Sequence, residues 1–467
     1  MPPDASSMAD EAWANAATQA VFAEQQRRSP TGSEDWLALE FAGRHAGELR
    51  HDGQMGWLRW DGCRWQQDRT TEVYDLVRGV CREFAPKQDS ESSRARKMAS
   101  AATVAGVERM ARSDRRLVAS ADQWDSDLWT INTPGGLVDL RTGRLRPSDP
   151  LAYCTKVAAT TPLTEGTSPA RWLRFLAEIT SNDPALIGFL QCMLGYALTG
   201  DTSAHALFFG WGTGANGKSV LVNTVAGILG DYATTAPADV FLASRIERHP
   251  TELADLRGAR LVVASEIDDG RRWNEARIKS LTGGDRIKAR YMRQDFFEYV
   301  PQFKLLIVGN HRPSLRGVDE AMRRRLHLLP FTVTIPPESR DPELPEKLKA
   351  EWPAIMRWMV DGCRTWQRDG LKAPATVVAA TEEYLAAEDS IALWLDEACT
   401  IDPNGWAQSS EMFASWKGWT ERTGEPTGSQ KRFVHTLEAR GFAPKRDSRG
   451  ARGFAGLRLN RWSNDGL

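Results

Sequence analysis

Residues 212–219 read Gly-Thr-Gly-Ala-Asn-Gly-Lys-Ser, and their types and spacing suit a polyphosphate. Glycines at Gly212, Gly214 and Gly217 let backbone N–H groups curl around phosphate oxygens where a side chain would clash. Lys218 is placed to reach the β- and γ-phosphates, and the Ser219 hydroxyl to hold Mg²⁺. Thr213, Ala215 and Asn216 complete the loop. Val220 opens a predicted helix to Leu229, whose N-terminus adds partial positive charge. The apolar run Leu207-Phe208-Phe209 before the loop predicts a buried strand. Strand, glycine-rich loop and helix in that order predict a nucleoside triphosphate site.

Such a loop serves kinases, GTPases and motor ATPases alike, so the segments that follow must decide. "ARLVVASEIDDG", 259–270, predicts a strand ending at Ser265-Glu266. A carboxylate there polarises an attacking water or holds Mg²⁺. "FKLLIVGNHRPSL", 303–315, predicts another strand with Asn310 at its end, an amide that orients the water or senses the γ-phosphate. "DEAMRRRLHLLPF", 319–331, puts three arginines on a helix that runs into a strand. In a ring, an arginine there reaches the neighbour's nucleotide. Glu266, Asn310 and the arginines follow Lys218 by about 50, 90 and 105 residues, an order that suits an oligomeric motor.

Between Glu266 and Asn310, residues 286–290 and 296–299 flank a tip at Met292-Arg293-Gln294-Asp295, which predicts a hairpin. Alternation puts Arg286, Lys288 and Arg290 on one strand face, with Arg293 and Gln294 near the tip. This charge predicts contact with single-stranded DNA phosphates, indifferent to sequence. A second basic set, Lys445, Arg446, Arg449 and Arg452, sits on a predicted C-terminal hairpin and suits duplex DNA.

The elements that must carry these residues are legible from pattern. The 467 residues suggest about three domains. Hydrophobic content of 41% and charged content of 26% are ordinary for a globular chain, and a net charge of −1 excludes a uniformly basic DNA coat. The absence of a long apolar run or a leader-like start predicts no membrane span, no secretory signal and a cytoplasmic location. Six cysteines without a C-x-x-C pair and seven scattered histidines argue against zinc and for reduced thiols. Of the 18 tryptophans, Trp358 and Trp366 share a helix face with Ile355, Met359 and Cys363, which predicts core packing.

Residues 1–36 read as a loosely ordered tail and 37–165 as a mixed α/β domain, with strands meandering around two Asp-Gly turns. In that domain 92–112 predicts an amphipathic helix. Residues 166–202 predict two helices broken before Pro184, with Asp183 as cap. The nucleotide domain covers 203–335, a helical part 336–400, and a last unit 401–467 has two helices before its hairpin.

In this order "GTGANGKS", "VVASEI", "IKSLTGGDRIKAR", "LLIVGNHRP" and "AMRRRLHLLPF" resemble the superfamily 3 helicases of the AAA+ class, specifically the primase-helicases of poxviruses, phages and plasmids. The likeness covers about 125–400 well and 401–467 more loosely. It implies an α/β multidomain fold: an AAA+ P-loop core, an N-terminal α/β domain, a helical collar and a winged-helix-like end. It also implies a homo-hexamer that hydrolyses ATP with Mg²⁺ at subunit interfaces and grips single-stranded or forked DNA with the pre-sensor hairpin. Such a ring would serve a phage, plasmid or integrated element in a bacterial cytoplasm, alongside a separate primase or replication initiator.

Carried over by motif, Lys218 and Glu266 are catalytic, Ser219 and Glu266 hold the metal, and Asn310 is the sensor. Arg324, with Arg325, is the finger, Lys279 a neighbour-facing phosphate contact, and Arg293 the DNA contact at the tip. Ser265 departs from the pattern, because many relatives have an acid there, which shifts metal coordination toward Ser219 and water. No acidic triad is found ahead of the collar, so primer synthesis is not expected. Two other classes stay open: a small-molecule kinase, which needs an arginine-rich lid, and a DNA-binding initiator or regulator that uses nucleotide only to assemble.

Overall fold

The computed structural model describes residue 24 and residues 29–87, 92–244, 251–265, 267–268, 270–293, 295–315, 319–425 and 427–460. Helix α1 (Glu34–His45) starts where the Ser33 hydroxyl accepts from the Trp36 N–H. A meander follows, with β1 (Leu49–Asp52), β2 (Gly56–Trp60) and β3 (Trp65–Gln67) paired antiparallel in that order. Asp52 makes the first turn by accepting from the Gln54 and Met55 N–H groups, and Asp61 the second from Cys63 and Arg64. Helices α2 (Glu72–Phe84), α3 (Ser93–Met98) and α4 (Ala101–Ala111) complete this unit around Leu37, Phe41, Val77, Cys81 and Val107. The single helix expected over 92–112 is two. Ser100 accepts from the Thr103 N–H and caps a fresh helix, and a serine bonded to its own backbone competes with helix continuation.

Strands β4 (Thr130–Thr133), β5 (Gly136–Asp139) and β6 (Arg144–Arg146) form a second antiparallel sheet. Their Ile131 and Val138 join the core of the nucleotide unit, apart from the core of the first helices. Helices α5 (Ala170–Ile179) and α6 (Pro184–Tyr196) share that core. Asp183 accepts from the Ala185 and Leu186 N–H groups, which is the cap expected before Pro184.

The central sheet is built in chain order from β7 (Leu207–Trp211), α7 (Lys218–Leu229), β8 (Ala233–Thr235), α8 (Thr251–Ala254), β9 (Leu261–Ala264) and α9 (Glu275–Thr282). A small hairpin, β10 (Ile287–Ala289) and β11 (Phe297–Tyr299), then leads into β12 (Lys304–Gly309), α10 (Glu320–Arg323) and β13 (Leu326–Pro330). The five strands lie in the order β13-β7-β12-β9-β8, all parallel. β7, β9 and β12 are buried almost throughout, which is why they read as unbroken apolar runs. Leu207 pairs with both Leu305 and Leu326, and Trp211 with Gly309 and Pro330, so three strands end level. The phosphate loop and Asn310 therefore share the C-terminal edge of the sheet. The hairpin base and α10 lie at its N-terminal edge.

Helices α11 (Leu344–Lys349), α12 (Trp352–Asp369) and α13 (Ala375–Ala387) cover the sheet. α12 crosses α6 at glycines: a Cβ on Gly195 would lie 2.1 Å from the Cys363 nitrogen, so only glycine admits this approach. Trp358 and Trp366 face inward with Ile355, Met359 and Cys363, as the spacing predicted. The last unit comprises α14 (Ser390–Ala398), β14 (Cys399–Gln408), α15 (Ser409–Thr423), α16 (Gln430–Ala439), β15 (Pro444–Arg446) and β16 (Arg452–Leu459). Its core contains Trp394 of α14 beside Trp416 and Phe433, so the unit begins ahead of residue 401. β14 escapes a pattern reading because Pro403-Asn404-Gly405 breaks its alternation at a register shift between Ile401 and Trp406. All six cysteines are free, and no helix among the described residues is long and apolar enough to cross a membrane.

Candidate functional site

The loop after β7 is fixed by contacts that its sequence does not display. Ala215 and Gly217 have φ of 51° and 79°, which turns the chain into α7. A Cβ on Gly212 would fall 2.1 Å from the Phe331 carbonyl oxygen, so β13 and the loop can meet only through glycine. Asn216 Nδ2 donates to that same oxygen at 2.9 Å, and the Ile335 N–H donates to the Ala215 carbonyl at 2.8 Å.

Lys218 is 6% exposed. Its ammonium donates to the Gly212 carbonyl at 2.7 Å, to Asn216 Oδ1 at 3.0 Å and to Asn310 Oδ1 at 3.3 Å. Burial pushes its pKa down to about 8. The contact with Asn310, 92 residues away, joins the two strands proposed to act on one phosphate. Gly214, Ser219 and Val220 line the adjoining cavity of about 700 Å³, while Thr213 stands exposed on the loop. The Ser219 hydroxyl, at the open start of α7, suits a divalent cation. Glu266, expected as catalytic acid and metal ligand, lies outside the described residues. No cluster of three metal-ligating side chains occurs among the described residues.

The three arginines of the α10 segment separate cleanly. Arg323 forms an ion pair with Glu382. Arg325 is buried, with Nε donating to Thr282 Oγ1 at 3.1 Å and a terminal nitrogen to the Ala321 carbonyl at 2.8 Å. Arg325 is thus engaged within its own chain, whereas the finger role expected for it alongside Arg324 needs a guanidinium that reaches a neighbour. Arg324 is exposed. Its backbone N–H is engaged, on the Glu320 carbonyl, while its guanidinium has no partner among the described residues. Lys279 is held by an ion pair to Asp319, the residue that caps α10, so it sits on the same edge as Arg324.

The basic hairpin forms as the alternation predicted. Ile287 and Ala289 are buried and pair with Tyr299 and Phe297, while Arg286 and Lys288 point outward. Arg293 sits exposed at the tip with φ of 62°, and Gln294 lies outside the described residues. Phe296 was not singled out from sequence. It is 50% exposed, with Lys288 Nζ 5.0 Å and the Arg290 guanidinium 4.8 Å from its ring centroid. In the last unit Lys445, Arg446, Arg449 and Arg452 are all exposed on the β15–β16 hairpin. Asp447 shapes its tip by accepting from the Arg449 and Ala451 N–H groups.

Sequence reading also missed the far wall of the cavity. Arg171, Arg174, Phe175 and Glu178 line it from α5, at the i, i+3, i+4 and i+7 positions of one helix face. That spacing was the available signal. Arg312, two residues past Asn310, lies 4.6 Å over the Trp211 ring beside the loop.

Residues 38–181 match a family model described as D5 N terminal like, and residues 211–325 match a family of unknown function, DUF5906. The chain is 27% identical over 284 residues to "Putative helicase L207/L206" of Acanthamoeba polyphaga mimivirus, covering 56% of this chain and 29% of that protein. It is 25% identical over 294 residues to "Putative helicase 022R" of Frog virus 3, covering 57% of this chain and 30% of the relative. The chain thus spans less than a third of the length of these relatives. Among solved structures it is similar to the apo NrS-1 C terminal region (305-718), with 11% identity, a TM-score of 0.41, and coverage of 64% of this chain and 77% of that one. The D5 N terminal like match and the viral relatives agree with the order of the sequence motifs, and the chain is similar to the superfamily 3 helicases of the primase-helicase family.

Proposed function

We propose that the chain is an ATP-driven DNA helicase or translocase that serves replication of a phage, plasmid or integrated element. One observation carries this reading: β12 has the basic hairpin at its start and Asn310, in contact with Lys218, at its end. A strand of six residues spans about 17 Å and is stiff, so a change at the γ-phosphate can be passed to the hairpin. Lys218 holds the β- and γ-phosphates, Ser219 holds Mg²⁺, and Glu266 polarises the water. Arg324 completes the site of a neighbouring copy in a hexameric ring, with Lys279 beside it. Lys288, Arg290 and Arg293 grip single-stranded DNA phosphates, and Phe296 offers a face for a base.

The test is ATP turnover and strand displacement on a forked duplex, measured for the wild type and Arg293→Ala. The reading expects turnover stimulated by single-stranded DNA, with unwinding lost in the variant and basal turnover kept. Turnover indifferent to DNA would refute it.

A nucleotide-assembled initiator is the second reading, and the C-terminal hairpin favours it. Arg446 and Arg452 pair directly across β15 and β16, a like-charge juxtaposition that costs stability unless an anion such as duplex DNA relieves it. Full replication activity in Glu266→Gln would select that reading over the motor.

A further inference from the structure

The phosphate loop accounts for only one half of the cavity of about 700 Å³. That volume exceeds what three phosphates need and suits a ligand of nucleotide size. The other half is walled on one side by α5, through Arg174, Phe175 and Glu178, and on the other by the strap after β13, through Ile335, Arg340 and Leu344.

Both walls are fastened to the loop itself. A Cβ on Gly217 would lie 2.4 Å from Ile179 Cγ2 and 3.0 Å from Phe175 Cε2, so α5 rests directly on the turn that precedes Lys218. The strap is pinned by the Ile335 N–H on the Ala215 carbonyl. The chemistry of this half differs from that of the loop. Phe175, Ile335 and Leu344 supply apolar faces, and two exposed arginines, Arg174 and Arg340, line it with them. Arg174 is exposed and has no hydrogen bond or ion pair among the described residues. Arg340 donates Nε to the Ile335 carbonyl, which restrains its guanidinium, and the residue lines the cavity while exposed.

We propose that α5 and the strap 335–344 form the nucleoside half of the site, with Arg174 and Arg340 closing over the base and ribose above the apolar floor of Phe175, Ile335 and Leu344. Planar guanidiniums stack on aromatic faces, and apolar side chains fill the slot beneath. This inference rests on the nucleotide reading of the loop and adds which residues hold the part that is not phosphate. α5 also belongs to the helix pair whose core continues into β4 and β5, so the same contacts tie nucleotide occupancy to elements outside the sheet.

The test measures binding of ATP and of inorganic tripolyphosphate, each with Mg²⁺, by calorimetry on the full chain. The wild type is compared with Arg174→Ala, Arg340→Ala and the double variant. Both arginines are exposed, so the variants fold, and a melting curve verifies it. The expected result is a loss of about tenfold in ATP affinity for each single variant, with tripolyphosphate affinity unchanged within about twofold. Equal losses for both ligands would place the arginines on the phosphates and overturn the proposal. Wild-type affinity no higher for ATP than for tripolyphosphate would also overturn it, while leaving the phosphate-loop reading intact. Binding of neither ligand by the wild type would overturn both.

Discussion

Mixing two inactive variants, Arg324→Ala and Lys218→Ala, should restore about a quarter of wild-type ATP turnover in a ring with random neighbours. The geometry requires that a finger at Arg324 act between subunits. Arg324 lies two residues before β13, whereas the phosphate loop starts just after β7, and the strands pair level from Leu326 with Leu207 to Pro330 with Trp211. Four steps along a parallel strand amount to about 13 Å, beyond which the loop must still be reached. An arginine side chain on this chain cannot bridge that span to its own Lys218. Of the adjacent guanidiniums, Arg323 is paired with Glu382 and Arg325 is buried against Thr282.

Each single variant should lose about 10³-fold in turnover or more. At equal mixing, half of the subunits carry an intact loop, and half of those have a neighbour with an intact finger. Hence the fraction is about one in four. The assay is steady-state phosphate release at fixed total protein with saturating DNA, with mixed assemblies verified by native mass spectrometry. No recovery at any ratio, with mixed assemblies present, would refute a shared site. Near-normal turnover of Arg324→Ala alone would refute the finger assignment itself.

Three further outcomes are expected. The Lys218 amine, held down at about 8 by burial, should regain its proton when a polyanion arrives, so ATP binding at pH 8 takes up about half a proton. Calorimetry in buffers of different ionisation enthalpy reads this uptake, which Lys218→Ala should abolish. The same depressed pKa means that the ligand-free fold gains stability as pH rises from about 8 toward 10.5, because the unfolded chain binds more protons there. Arg293→Gly should keep or slightly raise stability, by up to about 1 kcal/mol, because the tip residue has φ of 62°. It should weaken single-strand binding and lower the salt slope by about one; an unchanged slope would remove Arg293 from the interface. Deleting residues 390–467, which removes α14 with the unit it packs into, should spare translocation on a preloaded strand but reduce duplex binding. A cut at 401 would instead break β14 after its second residue and unfold the remnant, detectable by proteolysis.

Local signals carried much of the architecture. The glycine-rich loop, the apolar strands and the Asp183 cap each depend on residues within a few positions of one another. Sequence reading failed where a serine chose its own backbone, as at Ser100, and where a strand held a Pro-Asn-Gly interruption, as in β14. Arg174 and Arg340 were illegible for a different reason. They meet one cavity from 166 positions apart, and neither sits in a motif.

The sequence by itself determined which chemistry the chain can support, because phosphate contact needs glycine, lysine and hydroxyl at fixed local spacing. It also determined the alternation that puts Lys288 outward and Ile287 inward, since a strand has period two whatever packs on it. Only the tertiary structure gave Arg323, Arg324 and Arg325 different surroundings. Three consecutive arginines are equivalent as text, and their difference arises from what each meets: Glu382 on α13, open solvent, or Thr282 at the end of α9. The structure alone also brought Asn310 to Lys218 and placed Arg324 at the far edge of the sheet. Both follow from the parallel register of β7, β12 and β13, and hydrogen bonds between strands distant in sequence set that register.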